Sequence, residues 1–375
     1  MPLPLTRTAY IIFLLPAFLL HACTVPEHPP TKEEALALAH KIERSTVNRD
    51  PSVLNNIFDE KAIQRRITAE GGLFLNKDLI KGAMDGLRQN QFGKSIINGM
   101  DQDGSYKLIK QYEKDGKQHI LFRLYGNGSV NYHDYELIKR DETVKAADIF
   151  IYLSGENFSK TIADALKMTN ENLPKEDLEK LNSVKTIKVL MAQKEYEKAN
   201  QAYEELPASL KKIKVYQLLH ITITINLNND IYIKALNEYK SLFPNDPNMY
   251  LMMVDAYTLE KNYPMALQSV NKLDSLIDKD PYQDYLRGLL YRLMKDTIRS
   301  QEYLERLHTN MPTFKKGTIQ LMETYLLENK LASAIRLIKQ ALDSNYLDQK
   351  NLTAIYSYHP DLKKLMEEDS LKTLK

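Results

Sequence analysis

Hydrophobic positions recur along this chain with three different periods. Residues 9–20, AYIIFLLPAFLL, are apolar throughout and broken only by Pro16. From residue 31 to about 92 apolar residues return every three or four positions, the helical spacing. Thr31-Lys32-Glu33-Glu34 reads as a capping box opening a helix whose inner stripe is Ala35, Leu36, Leu38, Ala39 and Ile42. Asp50-Pro51 marks the start of a second, short helix, and a third is expected around 59–67. A fourth covers 77–92, with Leu79, Ile80, Met84 and Leu87 inward. Near residue 104 the period drops to two, and residues 106–113, 118–125, 130–138 and 144–153 read as four strands. Asp115-Gly116 and Asn127-Gly128 separate the first three. Such pairs favour type I′ turns, whose two central residues need positive φ, so the strands are expected to form an antiparallel meander.

Two-residue turns fix the pairing: opposed residues sum to 231 in the first hairpin and 255 in the second. One face then carries Ile109, Ile120, Phe122, Leu124, His133, Tyr135 and Leu137, a core composition. The other carries Tyr106, Lys110, Tyr112, His119, Arg123, Tyr125, Tyr132, Asp134 and Glu136. Tyr and Arg are enriched in binding surfaces, so Tyr112, His119, Arg123, Tyr132, Asp134 and Glu136 are candidates for a docking or pocket surface. The alternative is a solvated sheet face with cross-strand charge pairs. His133 and Asp134 do not make a dyad, because neighbours in a strand point to opposite faces. Helices followed by a curved meander over residues 31–155 resemble the nuclear-transport-factor-like α+β cone. That resemblance implies a cone that often holds a pocket, sometimes catalytic and sometimes only binding.

The third pattern fills residues 175–375. Five helical segments carry a small residue, Ala199, Ala235, Ala266, Ser300 and Ala334, spaced by 36, 31, 34 and 34. Large residues sit three before (Tyr196, Tyr232, Tyr263, Thr297, Leu331), four after (Tyr203, Tyr239, Val270, Leu304, Ile338) and, in most repeats, seven after. Tyr257, Tyr291 and Tyr325 add a further row. A 34-residue period with a small residue where two helices cross resembles the tetratricopeptide repeat, from about 177 to 344. Leu190 and Asn226 stand where that family's pattern has Tyr. The tail from Tyr358 to Leu365 resembles a closing segment. The family's first helices line a groove that takes a peptide or protein segment. The residues of this chain at those positions are Asn248, Asp255, Tyr282, Tyr285, Arg292, Lys316 and Glu323. Asp255 and Glu323 would repel the terminal carboxylate that one subtype clamps. Plain solvated helix surface is the alternative for any one of them.

Composition narrows the function. With 51 Lys+Arg against 49 Asp+Glu the chain lacks the basic excess of a nucleic-acid binder. One Cys among 375 residues excludes an intramolecular disulfide framework and multi-Cys metal sites. No phosphate loop, dinucleotide fingerprint, HExxH or Gly-x-Ser-x-Gly elbow occurs, and the eight His are scattered. No catalytic residue, cofactor or metal is therefore expected, and the chain is read as a non-enzyme.

The apolar run of 12 residues after Arg7 is shorter than the roughly 20 needed to span a bilayer and reads as a signal peptide over 1–22. It ends in Leu20-His21-Ala22-Cys23, which resembles the bacterial lipobox and implies lipidation, palmitate among the acyl chains, at Cys23. Thr24 is not the Asp that retains such proteins at the inner membrane in enteric bacteria, so an outer-membrane anchor is expected. Residues 23–30 then form a Pro-rich tether, 31–170 an α+β cone-like domain and 171–375 about five tetratricopeptide-type repeats plus a cap. The whole resembles bacterial tetratricopeptide-repeat lipoproteins, which implies an envelope adaptor binding another envelope protein or a peptide segment. Two alternatives stay open: a nutrient- or glycan-binding outer-membrane lipoprotein, or a small-ligand site in the cone. Replacement Cys23→Ala is expected to release the protein from membranes or leave it unprocessed. Membrane fractionation with normal signal removal in that variant would exclude lipidation as the anchor.

Overall fold

The structure is a computed structural model that describes residues 27–72, 75, 77–89, 92–167, 175–244, 246–358 and 361–366. The signal segment 1–22, Cys23 and the tether up to residue 26 lie outside the described residues. The rest of the tether runs along the sheet: His28 exchanges both backbone hydrogen bonds with Lys139 (3.2 and 2.8 Å), and Glu27 accepts from Arg140 at 2.8 Å.

Five helices open the chain: α1 (Lys32–Val47), α2 (Ser52–Asn55), α3 (Glu60–Gly71), α4 (Lys77–Gln89) and α5 (Phe92–Gly99). The capping box is present, with Thr31 accepting from the Glu34 amide and Glu34 from the Thr31 amide. Asp59 caps α3 and also accepts from Arg140 at 2.9 Å, tying that helix start to the sheet. The single helix expected over 77–92 is two. Phe92 begins the second, where its ring meets Phe58 and Phe158 at centroid distances of 5.4 and 5.5 Å.

The sheet is an antiparallel meander in the order β1 (Ser105–Lys114), β2 (Lys117–Gly126), β3 (Ser129–Arg140), β4 (Thr143–Ile151) and β5 (Glu156–Asn157). It thus has five strands, one more than the sequence pattern predicts, because β5 is a two-residue pairing too short to show alternation. Asp115-Gly116 and Asn127-Gly128 all have positive φ, as the turn chemistry requires. The second hairpin follows the 255 register throughout. The first follows 231 only from Lys110 to the turn. Beyond a bulge between Leu108 and Lys110 the pairing becomes Tyr106 with Leu124. One extra residue reverses the faces of what precedes it. Tyr106 therefore lies in the helix-side core with Phe122 and Tyr135, and Ile109 packs on the opposite side near Leu121 and Tyr132. On that core side the Tyr106 hydroxyl meets His133 Nδ1 at 3.0 Å, and burial pushes the His133 imidazole down to about 4. The helix α6 (Phe158–Lys167) follows, its start capped by buried Asp148, which accepts from the Ser159 hydroxyl and amide.

Stacked helical pairs make up the remainder: α7 (Lys175–Ala192) with α8 (Tyr196–Glu204), then, after the short α9 (Ala208–Lys211), α10 (Lys214–Thr224) with α11 (Asn229–Leu242). The next pairs are α12 (Pro247–Leu259) with α13 (Tyr263–Ile277), α14 (Tyr282–Leu293) with α15 (Thr297–Asn310), and α16 (Lys315–Leu327) with α17 (Leu331–Asp343). The helix α18 (Gln349–Tyr358), with buried Leu362 and Met366 after it, closes the array. All five small residues of the template are fully buried. Ser300 donates to the Gly288 carbonyl at 2.9 Å, and a Cβ on Gly288 would stand 2.6 Å from Leu304, so the helices of that pair meet nearly backbone to backbone. The architecture is α+β followed by a tetratricopeptide-like all-α array.

A side chain larger than methyl cannot enter such a crossing. Ala266→Arg is expected to destabilise the protein by at least about 2 kcal/mol, from overpacking plus an unpaired buried charge. Exposed Lys272→Gln, on the same helix, should leave urea unfolding within about 0.5 kcal/mol of wild type. Wild-type unfolding of Ala266→Arg would refute the crossing.

Candidate interaction site

The two surfaces singled out in the sequence meet each other. The loops that link one repeat to the next, and the N-terminal ends of the first helices, rest on the face of the sheet away from α1. At the centre Arg123 of β2 forms an ion pair with Asp280, which closes the loop between α13 and α14. Both are buried, at 4% and 1% exposure. Asp280 also accepts from the Tyr132 hydroxyl at 2.8 Å and from the Tyr282 amide at 3.1 Å, and Gln283 donates to the Tyr132 hydroxyl at 2.8 Å. Burial, with Asp280 beside it, raises the Tyr132 hydroxyl well above the ordinary tyrosine range and keeps it a donor. Arg123 is drawn further in by the Met311 sulfur at 3.6 Å and the Tyr282 ring.

Apolar contacts flank this network. Leu121, Tyr132 and Tyr152 of the sheet cluster with Leu273 and Ile277 of α13, and with Tyr250 and Leu251 of α12. Tyr125 packs edge-on to Phe314 at 5.0 Å and against Tyr282 at 5.6 Å. Two turns reach the array at its margins. Gly155, at φ +65, comes so close to Asn248 that a Cβ would stand 2.8 Å from its amide. At Gly128, at φ +79, a Cβ would stand 3.1 Å from Lys316 Nζ.

These contacts decide the standing of each candidate residue. Asn248 is fully buried, donating to the Tyr239 hydroxyl at 2.6 Å and to the Leu153 carbonyl at 3.4 Å. Tyr282 is buried and Tyr285 half-buried against Phe314. Lys316 is exposed but stands over the hairpin turn and the Tyr125 ring. Asn248 and Tyr282 are therefore internal contacts, not an open groove, because the chain's own sheet and its flanking turns cover the starts of α12, α14 and α16. Arg123 and Tyr132 are likewise taken by the array. Tyr112, His119, Asp134 and Glu136 form a separate half-buried cluster farther along the strands. The Tyr112 hydroxyl donates to Asp134, His119 Nδ1 lies 3.2 Å from Asp134, and Glu136 is held by Arg66 and by Lys117 at 2.9 Å. Glu136 faces His119 in the register, as expected. Each charge in the cluster has a partner, which is the cross-strand pairing alternative.

What stays open is the other end of the first helices. Arg292 and Glu323 bridge neighbouring repeats at 2.6 Å on the surface. Asp255 is exposed in area yet surrounded by protein, which pushes its carboxyl up although a Tyr232 hydrogen bond opposes the shift. Beside them runs a row that the template did not single out. Ile225, Leu259, Leu293 and Leu327 end, or directly follow, the first helices of four successive repeats, 34 residues apart, and are 56, 38, 46 and 65% exposed. The period was visible in the sequence. What was not visible is that these leucines lack the neighbour that covers the rows beside them.

An apolar cleft of about 790 Å³ lies elsewhere, between α4, α5 and α6, with Leu87, Phe92, Phe158 and Ile162 on its walls and Gly82 and Gly86 on α4. Among the described residues only Asp78 and Ser95 offer it polar side chains. Among the described residues no group of three or more His, Cys, Asp or Glu is placed to hold a metal ion, and no helix is long and apolar enough to cross a membrane.

No protein-family model matches this chain, and no curated protein matches it. Two solved structures show partial likeness. One is described as the crystal structure of MamA protein: 15% identity, TM-score 0.38, covering 44% of this chain and 91% of that one. The other is a MamA RS-1 ArsTM double mutant: 14% identity, TM-score 0.40, covering 44% of this chain and 94% of that one.

Removing one partner of a buried pair costs about 3–5 kcal/mol, because the other charge stays behind without compensation. Arg123→Met and Asp280→Ala are each expected to fall in that range in urea unfolding. The double variant should lose at least about 1 kcal/mol less than the sum. Strict additivity would show that the two groups do not meet in solution.

Proposed function

We propose that this protein is a lipid-anchored scaffold of the bacterial cell envelope whose repeat array binds a segment of another envelope protein. The observation that carries the reading is the unpartnered row Ile225, Leu259, Leu293 and Leu327, with Asp255, Arg292 and Glu323 alongside. Single exposed leucines need no explanation, but an aliphatic strip repeated at one level of four helical pairs is what an amphipathic partner segment would cover. Asp255 favours a basic residue on that partner's rim. The anchor reading rests on Cys23 and the sequence before it, and the outer membrane on Thr24. Catalysis forms no part of the proposal. A second reading, a small apolar ligand in the N-terminal domain, is favoured by the cleft between α4 and α6.

Cross-linking in intact envelopes, followed by isolation through an affinity tag, tests the first reading. A defined partner is expected with the wild type. Leu293→Asp with Leu327→Asp should reduce its recovery about tenfold or more, since each exposed leucine contributes about 1 kcal/mol or more when covered. The double variant should unfold as wild type does. Equal recovery from the double variant would remove the array's open end as the binding surface.

A further inference from the structure

The cleft between α4, α5 and α6 is walled by Leu79, Leu87, Phe92, Phe158, Ile162 and Leu166. On the α4 side Gly82 and Gly86, four residues apart and so on one face of the helix, present bare backbone to it. After proline, glycine is the least favourable residue in a helix interior. The usual reasons for accepting it fail at Gly82. Its φ lies outside the left-handed region, and a Cβ built on it would meet no atom within 4 Å. Gly93 of α5 is the contrast: a Cβ there would stand 2.4 Å from the Pro51 carbonyl, so the chain's own packing demands that glycine. Glycine also serves where a ligand approaches the backbone closely. Among the described residues nothing makes that approach at Gly82.

The polar part of the lining narrows the ligand. Among the described residues it consists of the Asp78 carboxylate and the Ser95 hydroxyl, and neither side chain has a hydrogen bond or ion pair there. Lys77 and Lys81 of α4 are exposed and stand outside the lining, so no cation faces the cleft. We propose that the cleft binds a single-chain aliphatic amphiphile whose head donates hydrogen bonds, an ammonium or a hydroxyl, and disfavours the carboxylate of a fatty acid. The proposal rests on the second reading above, an apolar ligand in this domain, and adds the ligand's shape and head group. The chain lies along the α4 backbone at Gly82 and Gly86, against Phe92 and Phe158, whose ring centroids are 5.5 Å apart. Each methylene so covered tightens binding up to about fourfold. The head meets Asp78 and Ser95, whereas a second carboxylate beside Asp78 would be repelled. The volume, about 790 Å³, suits a small molecule and excludes a folded partner.

Titration calorimetry of the purified protein with decylamine, decanol and decanoate, each below its micellar concentration, tests this. At least one of decylamine and decanol is expected to bind saturably, with decanoate about fivefold or more weaker. The tighter of the first two identifies the donor. Gly82→Leu fills the cleft from the helix side. It should weaken binding about tenfold or more while its ligand-free melt is no lower than wild type, because leucine favours the helix and its side chain enters open space. Asp78→Asn should erase the preference over decanoate and melt close to wild type. No saturable binding, or binding that survives Gly82→Leu, overturns the apolar-ligand reading itself. Binding that Gly82→Leu removes, with decanoate as tight as the others or with the preference intact in Asp78→Asn, overturns the head-group assignment alone.

Discussion

Arg123 and Asp280 are 157 residues apart in sequence and share one buried ion pair. Two charges withdrawn from water are stabilised only when most of their remaining donors and acceptors are met, and this demand fixes far more than two side chains. Arg123 is held in the middle of the meander by β1 on one side and β3 on the other. Asp280 is presented by a loop in which Asp278 and Lys279 both take positive φ, 67° and 66°, to turn α13 into α14. Tyr132 on β3 and the amide of Tyr282 on α14 complete the carboxylate's shell. With these four groups in place the sheet has one seat on the array. The close approach of Gly155 to Asn248 on one side, and of Gly128 to Lys316 on the other, follows from it.

That seat divides three of the first helices, α12, α14 and α16, into a covered and an uncovered half. The N-terminal half of α12, α14 and α16 is spent on an internal partner, the sheet, and its aromatic residues are packed as in a domain core. The C-terminal half keeps its surface. The first helices are therefore half covered in cis, with charge and aliphatic surface concentrated in what remains. On that remaining margin Arg292 and Glu323 already neutralise one another, and Asp255 has no ion-pair partner among the described residues.

Local rules carried the sequence reading where the cause of structure is local. The capping box at Thr31, the positive-φ turns at Asp115-Gly116 and Asn127-Gly128, and the small residues at the helix crossings each act through neighbours in the chain or within one repeat. The bulge near Ile109 was not legible, because alternation continues on either side of it and only pairing with β2 reveals the extra residue. The turn between β3 and β4 also escaped: Asp141 and Glu142 take positive φ without a glycine to announce it. The burial of Asn248, Tyr282, Arg123 and Tyr132 was illegible for a deeper reason. A polar or aromatic residue facing a partner protein and one facing a distant part of its own chain obey the same chemistry. Periodicity shows that a face is sticky and leaves open what it sticks to.

The aliphatic row is the one regular feature for which backbone geometry gives no account. After α12, α14 and α16 the chain turns through Lys261, Lys295 and Asn329, all at positive φ between 57° and 62°. That geometry selects unbranched or amide side chains at the turn, and each of the three is one. It places no demand on the residue two positions earlier, where the side chain points outward and a polar residue would serve the helix equally well. Ile225 occupies the same level in a repeat whose turn lacks the positive-φ residue, so the aliphatic choice persists where the turn geometry does not. Helix formation, capping and packing are each indifferent to it. A surface that a partner covers is the physical setting in which that choice is favourable.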